Sequence, residues 1–363
     1  MGSLSTDLPD DLMIKILSQL PVESILRFKS VSQSWNSLLS SSSFATTHSL
    51  SSSALSPTFP LLVLEHLISY IPPSQPLSLS NPTFSGHRTL IFQPKSDSSN
   101  LACSQGMVCF QDFASPESFD LFVGNPATGN FAALPAPSQY FIVLTPGFDV
   151  DPISRNFKIL AFGYPAMGIS FQGVQWFLFC SIASNWRPIR EISIQSLVPY
   201  FDCRCRYGEK MVCIRNTFYT ICHDGPKVVA FDVERETWDQ ILTPENADQN
   251  NFFQIQLWNG RVSVSQILEG FILKMWVLSE EKIWVQVIQL GLESSINSNL
   301  DMMYYDMRPV LLMGDTLFIR WRLKEESVVA YNVKNRTHRL ILEGYPLHSV
   351  SNFEPYRPTL FSL

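Results

Sequence analysis

The sequence predicts a mainly β protein that begins with a small helical module. From about residue 58 onward, short apolar runs alternate with turn residues such as Gly, Pro, Asn and Asp. Aromatic residues make up 12% of the chain and charged residues only 16%, a balance typical of many short buried strands. Residues 8–40 differ, because their apolar residues recur at helical spacing. The 363 residues suffice for one large β domain and a small appendage.

Three short helices are predicted between residues 8 and 40. Pro9 suits the first turn of a helix, and the two aspartates after it place negative charge at the positive end of the helix dipole. Pro21 ends this helix and can begin the second. Ser30 or Ser32 can cap the third. Helices this short cannot bury all of their apolar residues among themselves, so the sequence predicts that a partner protein covers part of this surface.

A serine-rich boundary follows the helices. Ten serines lie between positions 37 and 58, and such low hydrophobicity indicates a linker rather than core. We therefore divide the chain into a helical module over residues 1–45, a linker over 46–57 and a β domain over 58–363. Phe44 is expected to anchor the end of the helical module.

The helical stretch resembles the F-box. It has a Leu-Pro opening, an Ile-Leu-x-x-Leu-Pro middle and a late Val-x-x-x-Trp. The resemblance implies binding to a Skp-type adaptor and, through it, to a cullin. The implied contact residues are Leu8, Pro9, Ile14, Leu17, Leu20, Pro21, Ile25, Leu26, Val31 and Trp35. Ser32 and Gln33 stand where the family often has Cys followed by Lys or Arg. The alternative is an unrelated helical cap packed on the rest of the chain.

The β region contains an internal repeat of a strand, a polar turn and a second strand. Three copies are clear and two are looser, and their starts are 44 to 56 residues apart. A further strand precedes several copies, so each period holds about four strands, the content of a propeller blade. The copies are LFVGNPATGNFAAL at 121–134, WFLFCSIASNWRPI at 176–189, VVAFDVERETWDQI at 228–241, ILKMWVLSEEKIWVQV at 272–287 and VVAYNVKNRTHRLI at 328–341.

Adding a degenerate first unit predicts a β-propeller of six blades, with five or seven as alternatives. FPLLVLEH at 59–66 and RTLIFQP at 88–94 can supply the strands of that unit. The C-terminal TLFSL is expected to close the ring by pairing with the first blade. The region resembles the F-box-associated and Kelch-type repeats of plant F-box proteins, through CSQGMVCF, VGNPATGNFAALP and the late FEP at 353–355. The double Gly of Kelch repeats is absent.

The sequence offers little chemistry, so we predict no catalytic residue, no metal and no cofactor. No two of the six histidines have metal-ligand spacing, and no phosphate-binding or nucleophile motif occurs. The net charge of −6 does not indicate a nucleic-acid partner. No apolar run has the length of a membrane span. Seven cysteines, an odd number, without a secretory signal indicate a cytoplasmic or nuclear protein.

One pattern concerns target binding. Adjacent aromatic residues recur about once per repeat, and they give Tyr140, Tyr200, Phe252 and Tyr304 as candidates for contacting a protein target. Packing between blades is the alternative role. The resulting hypothesis is the substrate-recognition adaptor of an SCF-type (Skp–cullin–F-box) ubiquitin ligase. The alternatives are an F-box scaffold or transcriptional partner outside a ligase, and a propeller enzyme.

Overall fold

A computed structural model describes most of the chain. The described residues are 9–52, 58–64, 67–70, 101–111, 121–134, 137, 141–165, 175–189, 210–222, 227–248, 253–292, 307–322, 325–345 and 350–361. Within them lie four helices followed by 23 strands. None of these helices has both the length and the apolar character needed to traverse a bilayer.

Four short helices form the N-terminal module. They are α1 (Asp10–Leu17), α2 (Val22–Phe28), α3 (Gln33–Ser40) and α4 (Ser42–Ser52). The three predicted helices are present, and Ser32 caps α3 by accepting a hydrogen bond from the Trp35 amide at 3.2 Å. Ser18, just after α1, is buried and its hydroxyl donates to the Lys15 carbonyl.

Helix α4 differs from the expected linker, because residues 46–52 are helical. The physical reason is tertiary packing: Phe44, Ala45 and His48 are buried on one side of this helix. The weak helix propensity of serine and threonine is outweighed by that burial. Their hydroxyls also bond within the helix, as when Thr46 Oγ1 donates to the Ser42 carbonyl.

Two strands, β1 (Phe59–Leu64) and β2 (Leu67–Tyr70), follow the module. Five four-stranded antiparallel sheets come next, which we call blades 1 to 5, each with its strands in sequence order. Blade 1 comprises β3 (Leu101–Ser104), β4 (Met107–Gln111), β5 (Leu121–Asn125) and β6 (Asn130–Leu134). Blade 2 comprises β7 (Phe141–Val150), β8 (Phe157–Pro165), β9 (Gln175–Cys180) and β10 (Asn185–Pro188). Blade 3 comprises β11 (Val212–Ile214), β12 (Thr217–Cys222), β13 (Lys227–Asp232) and β14 (Thr237–Leu242).

The remaining strands complete a ring. Blade 4 comprises β15 (Gln254–Trp258), β16 (Arg261–Leu268), β17 (Ile272–Leu278) and β18 (Trp284–Gly291). Blade 5 comprises β19 (Met307–Met313), β20 (Thr316–Arg322), β21 (Glu326–Asn332) and β22 (His338–Tyr345). The last strand, β23 (Val350–Tyr356), pairs with β1 to form a three-stranded sheet in the order β2-β1-β23. The first strands of successive blades contact one another around the ring, and β23 lies between β19 and β3.

The β-propeller is therefore confirmed, and the described residues form five complete blades rather than six. Within the same residues the remaining sheet has three strands, which come from both ends of the β domain, and RTLIFQP lies outside the described residues. Closure differs from the prediction too. The segment before TLFSL pairs with β1, from Phe59 opposite Tyr356 to Leu64 opposite Val350.

All five predicted repeats form hairpins, which are the third and fourth strands of the five blades. In three of them an Asn or Asp side chain shapes the turn by accepting backbone N–H bonds. Asn125 Oδ1 accepts from the Ala127 amide. Oδ1 of Asp232 accepts from the amides of the residues two and three positions later in the chain, and Oδ1 of Asn332 does the same. Such turns mimic a backbone turn. We call the side of the ring where these turns lie the hairpin face.

Candidate docking surface on the helical module

The helical module has a core that it shares with the C-terminal end of the chain. Its own buried residues include Leu17 and Ile25, and they pack in one cluster with Leu360 and Phe361. Trp35 is half-buried against Phe28, with ring centroids 5.7 Å apart in an edge-on arrangement. The module is thus folded against the propeller rather than separate from it.

Part of the apolar surface of the module stays uncovered. Leu12 and Ile16 lie one helical turn apart on α1 and are 49% and 54% exposed. Val31, in the turn before α3, is 61% exposed. Pro9 and Pro21, at the starts of α1 and α2, are exposed as well. We call these five residues the docking surface, since apolar groups concentrated on so small a module are typical of an interaction site.

The structure distributes the predicted contact residues among three environments. Pro9, Pro21 and Val31 belong to the docking surface. Leu17 and Ile25 belong to the core, where both have 4% exposure or less, so they are not on the exposed surface of the free chain and their contact with a partner stays a prediction. The half-buried residues are Ile14, Leu20, Leu26 and Trp35. Leu8 lies outside the described residues.

Leu12 and Ile16 were not among the predicted contact residues. Apolar residues cover most of the circumference of α1, so periodicity alone could not tell which of them face the module's core. Leu17 packs in one cluster with Phe44 of α4 and with Leu360 and Phe361, so residues from distant parts of the chain share the buried core with α1. The exposure of Leu12 and Ile16 thus depends on a tertiary contact.

His48 ties α4 to the turn between α1 and α2. Its Nε2 lies 2.8 Å from the Leu20 carbonyl oxygen, and the ring is fully buried, 6.1 Å from Phe44. Nδ1 has no hydrogen-bond partner within the described part of the chain. Burial lowers the pKa of His48, and the nearby Arg357 guanidinium lowers it further. The imidazole is therefore held neutral and donates through Nε2.

The predicted target-contact residues all lie outside the described residues: Tyr140, Tyr200, Phe252 and Tyr304. Each falls in a segment that runs from the last strand of one sheet to the first strand of the next. Because strands alternate in direction, the described strand ends that flank these segments lie at the face opposite the hairpin face.

The centre of the ring is bridged by an ion pair. Lys210, just before β11, lies 3.0 Å from the Glu354 carboxylate on β23, and each side chain is 9% exposed. These two strands belong to sheets on opposite sides of the ring. Burial raises the pKa of Glu354, while the Lys210 ammonium opposes that shift. Among the described residues, no group of three His, Cys, Asp or Glu side chains is placed to hold a metal ion.

Comparisons with known proteins match both parts of the chain. The family described as F-box domain matches residues 5–47, and the family described as F-box associated beta propeller domain matches residues 63–354. F-box protein At3g57590 of Arabidopsis thaliana is 25% identical over 350 residues, which cover 91% of this chain and 83% of that protein. F-box only protein 8 of the same plant is 23% identical over 257 residues, which cover 66% of this chain and 81% of that protein.

The fold is similar to that of a solved structure. A chain of the nidogen/laminin complex superposes with a TM-score of 0.50 at 11% identity, and the match covers 84% of this chain and 100% of that one. At this level of identity the similarity concerns the fold alone.

Proposed function

Because the chain belongs to the F-box associated beta propeller family and carries an F-box domain, we propose that it is the substrate-recognition adaptor of an SCF-type ubiquitin ligase. The helical module docks on a Skp-type adaptor that connects it to a cullin, and the propeller holds a protein target. Catalysis is by proximity, since tethering raises the effective concentration of target lysines near the charged ubiquitin carrier. No residue of this chain takes part in bond chemistry.

The observation that carries this proposal is the exposed pair Leu12 and Ile16. Two large aliphatic side chains one turn apart on a short surface helix cost solvation free energy unless a partner covers them. Val31, in the turn before α3, is a further exposed aliphatic residue of the module. A groove-shaped partner that receives an amphipathic helix satisfies this geometry.

The target is expected at the face opposite the hairpin face. Among the described residues, the helical module and the C-terminal residues pack on the hairpin face, so we place the target on the other side of the ring. The predicted target residues Tyr140, Tyr200, Phe252 and Tyr304 fall in segments whose flanking strand ends lie on that side. Aromatic side chains there would supply rigid, amphipathic anchors for a protein surface.

Capture of a purified Skp-type adaptor by the full chain tests the proposal. The double variant L12D/I16D should bind at least about tenfold more weakly, because each substitution places a charge in an apolar contact. The matched control is I283D, which changes an aliphatic residue on blade 4 that is at least as exposed and should bind like the wild type. Unchanged binding by L12D/I16D, or no binding by the wild type, would refute the proposal.

Addition of a cullin to the same experiment separates the ligase from a scaffold. In a ligase the cullin is retained together with the adaptor, and the L12D/I16D variant loses both. A wild-type chain that binds the adaptor but never retains the cullin would favour the scaffold or transcriptional role.

A further inference from the structure

The last described residues of the chain take an unexpected path. After β23 ends at Tyr356, residues 357–361 do not join a sheet. They cross the hairpin face of blade 1 and end inside the core of the helical module. We call residues 357–361 the C-terminal latch.

The latch is held on the propeller by Asn125, whose side chain is fully buried. Asn125 Nδ2 donates to the carbonyl oxygens of Thr359 at 2.9 Å and Phe361 at 2.6 Å, while Oδ1 accepts from its own turn at the Ala127 amide. An amide is the side chain that can accept on one side and donate on the other. Among the three equivalent turns, this is the one whose side chain also holds the latch.

Gly106 provides the second support on blade 1. Its φ is +77°, and a Cβ at this position would lie 2.5 Å from the Arg357 carbonyl oxygen. Side chains rarely adopt that backbone conformation, and none fits within that distance. The backbone of the latch therefore lies directly against the β3–β4 turn.

On the other side, the latch is part of the helical module. Leu360 and Phe361 are 6% and 0% exposed and pack with Ile25, Leu39 and Phe44. Burial of these two side chains stabilises the contact between module and propeller through the hydrophobic effect. The module thus loses a substantial part of its core if the latch leaves.

Arg155 connects blade 2 to α4 and to the latch. It lies in the turn between β7 and β8 of blade 2, and its guanidinium donates to the Ser42 carbonyl at 2.9 Å and to Thr46 Oγ1 at 2.6 Å, both on α4. The same guanidinium lies over the Phe361 ring, 4.5 Å from its centroid. One side chain therefore contacts the propeller, α4 and the latch together, because Nη2 makes both hydrogen bonds while the planar guanidinium lies over the Phe361 ring.

We propose that the C-terminal latch fixes the orientation of the helical module on the propeller, with Arg155 as its positioning residue. The chain's own C-terminal end then sets where a target held by the propeller lies relative to whatever binds the docking surface. The contacts described above suffice to fix the orientation of the module, whereas the consequence for ubiquitin transfer rests on the proposed function. None of the five docking-surface residues is part of the latch, so orientation and docking can be separated by mutation.

Amide hydrogen exchange and small-angle scattering of the full chain test the latch. In R155M and in L360A/F361A, amides of α4 should exchange about tenfold faster or more, and the scattering should show a broader distribution of sizes. Strand amides of blades 3 to 5 should keep their protection. The matched control is R187M. It removes the exposed ion pair between Arg187 on blade 2 and Glu236 on blade 3, and it should change neither readout.

Unchanged α4 exchange in L360A/F361A would overturn the proposal, as would an equal effect of R187M. If L360A/F361A fails to fold, R155M alone decides, because it removes the bridging guanidinium and leaves the apolar core in place. Capture of the Skp-type adaptor is measured in parallel and should be unaffected in R155M. Failure of the wild type to bind the adaptor would refute the proposed function without bearing on the exchange result.

Discussion

The substitution N125D replaces the amide nitrogen that donates to the latch with an oxygen that cannot donate, and so should weaken the attachment of the latch. The aspartate keeps the oxygen that accepts from Ala127, so the turn itself is preserved. The chain already shows that Asp fits such a turn, because Asp232 occupies the equivalent position in blade 3. The oxygen that replaces Nδ2, however, would face the carbonyl oxygens of Thr359 and Phe361 at about the present 2.9 and 2.6 Å.

The expected cost follows from these contacts. Two buried hydrogen bonds are lost at about 1 kcal/mol each, and an acceptor facing acceptors adds the desolvation of a buried polar group, about 1–3 kcal/mol. We therefore expect N125D to lower the free energy of unfolding by at least about 3 kcal/mol at pH 7.5, since a charged carboxylate costs more to bury than a neutral group. The control N332D changes the same turn in blade 5, where Asn332 is only half-buried, and should cost less than about 0.5 kcal/mol.

Urea denaturation of the wild type and both variants measures these differences, and hydrogen exchange of α4 shows whether the loss is at the latch. Burial should raise the pKa of the new carboxyl group in the folded state. The destabilisation should then shrink as the pH falls, because a protonated carboxyl can donate to one of the two carbonyls. Equal stability of N125D and wild type, or an equally large effect of N332D, would refute this account of the latch.

Three further predictions concern other parts of the molecule. G106A should destabilise by about 2–4 kcal/mol and G129A by only about 1 kcal/mol, because both have positive φ but only Gly106 lies against another segment; thermal melts would contradict this if the two costs were equal. Because burial lowers the pKa of His48, the unfolded chain binds more protons, so stability should fall as the pH drops below about 6.5, by at most about 1.4 kcal/mol per pH unit. The urea midpoint should fall less between pH 7.5 and pH 5.5 in H48Q than in the wild type. An identical fall in both proteins would exclude His48 as its source. K210M should lower the free energy of unfolding by about 3–5 kcal/mol, because it leaves the Glu354 carboxylate buried and unpaired. In the same denaturation assay, K210M/E354M should recover most of that loss. A double variant as unstable as K210M would argue against a stabilising ion pair.

Local patterns in the sequence were enough to predict most of the secondary structure. Proline positions and a serine cap at position 30 or 32 predicted three of the helices, because capping and the loss of the proline N–H act within one turn. The spacing of strand–turn–strand repeats predicted the five hairpins, since turns such as those at Asp232 and Asn332 depend only on neighbouring residues. The family resemblance of both parts rests on the same local motifs.

What only the tertiary structure decided are the contacts between residues far apart in the chain. The serine-rich segment became α4 because Phe44 and His48 found buried partners, and no local propensity indicates that. The closing strand and the latch depend on where the ring brings residue 350 and its successors, as seen where Asn125 meets Phe361 across 236 residues of sequence. Which aliphatic residues of α1 stay exposed follows from that same packing, because burial is a property of the assembled fold and periodicity specifies only which residues share a face.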